Sequence, residues 1–124
     1  MAVLVLILVL LLASCGGGNS TPTTPTPPSN PYTFTLTSSG VSPKELTVPL
    51  GTRVLFVNQD SRRHDIASDP HPEHTDCTEI NLGVLVTGQS RETLNLVTAK
   101  TCGFHDHENP PPTGTQWTGR IIVR

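Results

Sequence analysis

Aromatic side chains are scarce in this chain: one Trp, one Tyr and three Phe among 124 residues. Lys/Arg clusters are missing beyond Arg62-Arg63, and eight basic against ten acidic residues leave a formal net charge of −2. Both shortages argue against nucleic acid as a partner, which asks for a basic face and stacking rings. Helical periodicity is absent too, because 12 prolines and 10 glycines recur along the sequence with Ser and Thr and break it. Methionine occurs only at position 1, so no thioether is available to a metal in the body of the chain. No nucleophile–base pair, Gly-rich phosphate loop or paired-carboxylate spacing supports an enzyme. The length allows one small domain.

What is present begins with the apolar run Ala2 to Ala13, followed by Ser14-Cys15. It is too short for a membrane span, which needs about 20 residues, and has the length of a signal-peptide core. Leu12-Ala13-Ser14-Cys15 resembles the lipobox of bacterial lipoproteins, which implies lipidation at Cys15, although no Lys or Arg precedes the run. Gly16 to Pro31 reads as a tether of Gly, Ser/Thr and Pro without charge. The expected division is a signal peptide over 1–14, a lipid-anchored flexible linker over 15–31 and a folded domain over 32–124. That places the protein outside the cytoplasm, held by lipid at the periplasmic or extracellular face of a bacterial envelope.

The folded part carries strand signals. Tyr32-Thr-Phe-Thr-Leu-Thr37 alternates apolar residues with Thr, as a half-buried strand does. Glu45–Val48, Thr52–Asn58, Arg91–Val97 and Gly119–Arg124 follow, separated by Pro/Gly turns. Short strands at this spacing predict an all-β domain, a single antiparallel sandwich.

All five histidines fall in two stretches, His64, His71 and His74 in one and His105 and His107 in the other. Cys77 and Cys102 and eight of the ten acids lie there as well. Imidazole is the commonest metal ligand, and histidines converging from separate segments suit copper or zinc. His105 and His107 are two residues apart, so an extended strand would present both on one face.

Phe34, Lys44–Val48, Gly51–Asn58, His64, Gly88-Gln-Ser90, the 101–107 segment and Gly119–Val123 together resemble a cupredoxin. The likeness covers nearly the whole predicted domain and implies a Greek-key sandwich with copper bound at one end. In that family one His follows the "V-x-F-x-N" strand, and a Cys and a second His come from the loop before the last strand. His64 matches the first position. The later loop aligns in two ways. One makes Cys102 the thiolate and His105 the second imidazole, with no Met to follow. The other overlays Phe104-His-Asp-His-Glu-Asn-Pro110 on "Y-H-C-x-x-H-P", which puts Asp106 in the thiolate's place and Asn109 in the second imidazole's. This register matches more consecutive residues, and resembles a subgroup carrying "D-P-H-P-x-H-T-D" and "F-H-D-H-x-N-P" motifs.

Two thiols in one small exported domain usually pair, which predicts a Cys77–Cys102 disulfide and a nitrogen-based metal site. The expected ligands are His64, His105 and His107, with His71, His74 or Asp106 completing or gating the site and Asp65, Asp69 and Asp106 as acceptors that orient the rings. Copper is the expected metal and zinc the alternative. The function anticipated is metal binding, buffering or delivery, with a redox or delivery protein as an unidentified partner. Two other readings remain: a blue-copper electron-transfer protein using Cys102, His64 and His105, and a metal-free structural sandwich. Trp117 is expected to anchor the end of the sandwich.

Overall fold

The computed structural model describes residues 29–124. The expected signal peptide, Cys15 and the tether up to residue 28 lie outside them. The side chain of Asn30 donates to the Arg53 carbonyl and accepts from the Tyr32 amide.

Nine short strands follow: β1 Thr33–Thr37, β2 Gly40–Ser42, β3 Glu45–Val48, β4 Leu55–Asn58, β5 His64–Ser68, β6 Gly83–Leu85, β7 Ser90–Glu92, β8 Lys100–Asp106 and β9 Gly119–Val123. They form two sheets, ordered β2-β1-β4-β7 and β3-β9-β8-β5-β6. Five pairings are antiparallel; β1 with β4 and β3 with β9 run parallel. The alternation read along 32–37 is the burial pattern of β1: Phe34 and Leu36 point inward and the threonines outward. Thr52 to Val54 do not join the sheet as β4, and Thr52 makes only an isolated bridge to Leu96.

The two sheets close on an apolar core centred on Phe34, Phe56 and Phe104, whose ring centres lie 4.9–5.1 Å apart. Offset and edge-to-face contacts at such distances add to the gain from burial. Phe104 reaches this position because Gly119, its neighbour across β8 and β9, has no side chain; a Cβ there would stand 2.5 Å from the Phe104 ring.

The strand pairing decides what the histidines can do. On β8, Cys102, Phe104 and Asp106 point into the sandwich, and alternation turns Gly103 and His105 to the outer face. Ile66 of β5 pairs with Asp106, and Ala67 with His105. His64 therefore shares the inner face with Asp106, and His105 lies on the opposite side of the same sheet.

Cys77 and Cys102 are both fully buried and disulfide-bonded. The bond ties the end of the 69–77 segment to β8. The ring it closes spans a sequence separation of 25, for which chain entropy predicts about 3–4 kcal/mol of stabilisation. Cys77→Ala/Cys102→Ala is expected to lose about that much unfolding free energy in urea titration. A loss below about 1 kcal/mol would show that the bridge restrains the unfolded chain far less than its loop size implies.

Candidate metal centre

The 69–77 segment leaves β5 and folds back over the outer face of β8. Backbone bonds hold its base: the Asp69 amide donates to the Gly103 carbonyl at 3.0 Å, and the Asp76 amide to the Asp69 carbonyl at 2.9 Å. The His74 amide closes a turn on the Pro70 carbonyl at 2.7 Å, and Asn81 Nδ2 donates to the His74 carbonyl at 3.0 Å. His74 adopts φ +54°, uncommon for a residue with a side chain.

So held, the segment brings His71 and His74 against His105 and His107. One ring nitrogen from each of the four lies within 4.8 Å of the other three. The ring centres of His74 and His107 are 4.7 Å apart, and those of His71 and His107 5.0 Å. His71 and His107 are exposed, His74 is half-buried, and His105 is fully buried. His107 Nδ1 faces His74 Nε2 at 3.0 Å. Burial, reinforced by the neighbouring His107, His105 and His71, lowers the pKa of His74 and favours the neutral ring that binds metal; Asp65 opposes this only in part.

His105 has an unusual arrangement. Its Nδ1 lies 2.7 Å from Asp69 Oδ1, while its Nε2 is buried without any hydrogen-bond partner. A carboxylate accepts only, so Nδ1 carries the proton and Nε2 offers its lone pair. Buried polar atoms are rarely left unpaired. A metal ion held by the four rings would satisfy this atom, and the donor set of borderline nitrogen ligands suits divalent copper or zinc.

His64, expected as the third ligand, is not part of this group. It is fully buried on the other side of the sheet, with Nδ1 2.9 Å from Asp106 Oδ2 and Nε2 3.1 Å from Asp60 Oδ2. Both ring nitrogens are thereby committed to carboxylates. Trp117 packs beside it, with ring centres 5.2 Å apart, and donates Nε1–H to the Thr37 carbonyl. Arg62 covers the indole, its guanidinium carbon 4.6 Å from the ring centre. Trp117 thus lies beside His64 and away from the four rings.

Asp106 is no more available than His64. Its carboxylate accepts from His64, from the Asp65 and Glu108 amides and from Asn109 Nδ2 at 2.8 Å. Burial raises the pKa of Asp60, but hydrogen bonds from His64 and the nearby backbone, with the charge of Arg62, outweigh it and hold the carboxyl below its ordinary value. Cys102, the alternative thiolate, is consumed by the disulfide. Of the carboxylates expected behind the ligands, only Asp69 touches a ring of the four-histidine group. Asp65 stays close enough to act on His74 through its charge.

Solved structures match this architecture over 74% of the chain. A purple cupredoxin from Nitrosopumilus maritimus is 20% identical, with 98% of its own length covered and a TM-score of 0.58. Plastocyanin from Dryopteris crassirhizoma gives 18%, 99% and 0.57, and a mutant amicyanin in its Cu(I) form 16%, 80% and 0.52. The domain has a cupredoxin-like fold. No protein-family model matches the chain, and no curated protein sequence does.

For this cupredoxin-like domain the register that put Asp106 and Asn109 in place of the copper ligands has a physical counterpart. His64 and Asn109 both meet the Asp106 carboxylate on the inner face of the sheet by hydrogen bonds. Those residues do not fit a copper ion; the four rings across the sheet do.

Proposed function

We propose that the chain is an exported copper-binding protein, tethered by lipid at Cys15, whose ion is held by His71, His74, His105 and His107. The observation that carries this reading is the buried, unpartnered Nε2 of His105 among three further imidazoles. The cupredoxin-like fold supports copper, since amicyanin of similar fold is described in its Cu(I) form. Zinc is the alternative, because four neutral nitrogens suit it as well. The apolar run and the Cys15 context support export and anchoring.

The role that fits is buffering or delivery. His71 and His107 are exposed, so an incoming ligand can displace rings one at a time. With Cys102 in a disulfide, the thiolate ligation of a blue-copper electron carrier is unavailable. Metal titration followed by native mass spectrometry and electron paramagnetic resonance tests the assignment. One Cu(II) per chain with nitrogen coupling, and without the intense visible band of a thiolate–copper centre, is expected. Failure to retain either copper or zinc would refute it.

A further inference from the structure

Asp69 does more than contact His105. Its Oδ1 lies 2.7 Å from His105 Nδ1, the short distance of a charge-assisted bond. Its other oxygen, Oδ2, occupies space above Gly103, the residue two positions before His105 on the same face of β8. A Cβ built on Gly103 would stand 2.1 Å from Asp69 Oδ2 and 3.1 Å from Asp69 Cγ. Contacts that close force displacement, so any side chain at position 103 would push the carboxylate from its place. The Asp69 amide is meanwhile hydrogen-bonded to the Gly103 carbonyl, which anchors the backbone below the carboxylate.

We infer that Asp69, seated in the gap left by Gly103, positions His105 for the metal and biases the four-histidine site toward divalent over monovalent ions. This rests on the metal site proposed above. The bias follows from charge. The four ligands are neutral imidazoles, so the Asp69 carboxylate is the only anion directly bonded to any of the four rings among the described residues. A fixed negative charge behind a ligand stabilises Cu(II) and Zn(II) more than Cu(I). It also makes His105 a stronger donor while holding Nε2 bare. Asp69 and Gly103 are both positioning residues, since neither reaches the ion.

Four variants of the full chain test this: Asp69→Asn, Asp69→Ala, Gly103→Ala and Asp69→Ala/Gly103→Ala. Zn(II), Cu(II) and Cu(I) affinities would be measured by chelator competition, and the His105 tautomer in metal-free protein by nitrogen NMR. Asp69→Asn retains the size and an acceptor but loses the charge. It is expected to weaken Zn(II) and Cu(II) binding by about 10–100-fold, and Cu(I) binding by less. Each tenfold difference between the copper states raises the reduction potential by about 59 mV. Gly103→Ala should weaken binding and loosen the Nδ1–H tautomer as Asp69→Ala does. The double variant should be no worse than Asp69→Ala, because the side chain that clashed is gone.

Unchanged divalent affinity in Asp69→Asn, or equal losses for Cu(I) and Cu(II), would overturn the inference. So would additive losses from Gly103→Ala and Asp69→Ala. Should Gly103→Ala fail to fold alone, Asp69→Asn still decides the charge effect and the double variant the steric one. A wild-type chain that binds no metal would instead sink the site itself.

Discussion

Replacing His105 and His107 together by alanine is expected to abolish tight copper binding while the sandwich still folds. Substitutions of residues behind a metal ligand cost about 10–100-fold in affinity, so removing two of four ligands should exceed that range. The choice of pair matters. Among the described residues, His105 supplies the one side-chain nitrogen that is buried without a partner, and His107 supplies a ring that faces both loop histidines. What survives, His71 and His74, belongs to a turn and not to a strand. Stability should fall modestly. His107 is exposed, and Asp69, the group His105 leaves behind, is 45% exposed and can turn to water. Loss of a buried ring of this size costs at most about 2–5 kcal/mol. Competition titration with a chelator, beside a urea unfolding curve, separates the two effects. Retained affinity in a folded double variant would refute the ligand assignment. The reciprocal variant, His71→Ala/His74→Ala, should lose affinity too while leaving the strands intact.

Much of this site was legible in the sequence alone, because β-strand alternation is a local rule. Period two along Lys100–Asp106 suffices to put Cys102 and Phe104 on one face and His105 on the other; His107, in the turn just past the strand, joins His105 there. The pairing of the two thiols was readable as well, from their number and from the export expected for the chain. The place of His64 was not. It depends on the register of β5 against β8, where Ile66 meets Asp106, a relation between residues 40 positions apart in sequence. His64-Asp-Ile-Ala-Ser68 also carries a weak strand signal, since it opens on two polar residues and runs into Asp69-Pro70. Family resemblance pointed His64 toward copper, and the clue against it was already in the sequence: Asp106 and Asn109 stand where ligands belong. A histidine whose neighbours are two carboxylates has acquired hydrogen-bond partners in place of an ion.

His71 and His74 were harder still. Their convergence on β8 is produced by contacts far apart in sequence. The Asp69–Gly103 backbone bond, the Cys77–Cys102 bridge and the Asn81 side chain on the His74 carbonyl all contribute. None of these is visible in the local pattern of Asp-Pro-His-Pro-Glu-His. Pro70 and Pro72 suggest a stiffened segment but give no direction to it. Three-residue strands such as β2 and β6 escape for a related reason, as they are defined by their partners more than by their own composition.

His64→Phe is expected to lower stability by about 1–3 kcal/mol, the range for leaving a buried hydrogen-bonding group without its partner, while metal affinity stays near wild type. Phenylalanine keeps an aromatic ring beside Trp117 but offers no N–H to either carboxylate. Asp106 Oδ2 keeps Asn109, and Asp60 keeps Arg62, yet two buried carboxylates then face an apolar ring. The pH dependence supplies a second readout. In the wild type the hydrogen bonds to Asp60 hold its carboxyl below the ordinary 3.8. A carboxyl so depressed stabilises the fold above its unfolded pKa, and that contribution disappears as pH falls through the folded value. Stability of the wild type should therefore decline on acidification below about pH 4, and His64→Phe, having lost one of those hydrogen bonds, should show a shallower decline. Urea unfolding at several pH values measures both quantities, and metal titration at neutral pH measures the third. Lost copper affinity in a variant that remains folded would place His64 at the ion after all, and would mean that its bonds to Asp60 and Asp106 give way when metal arrives.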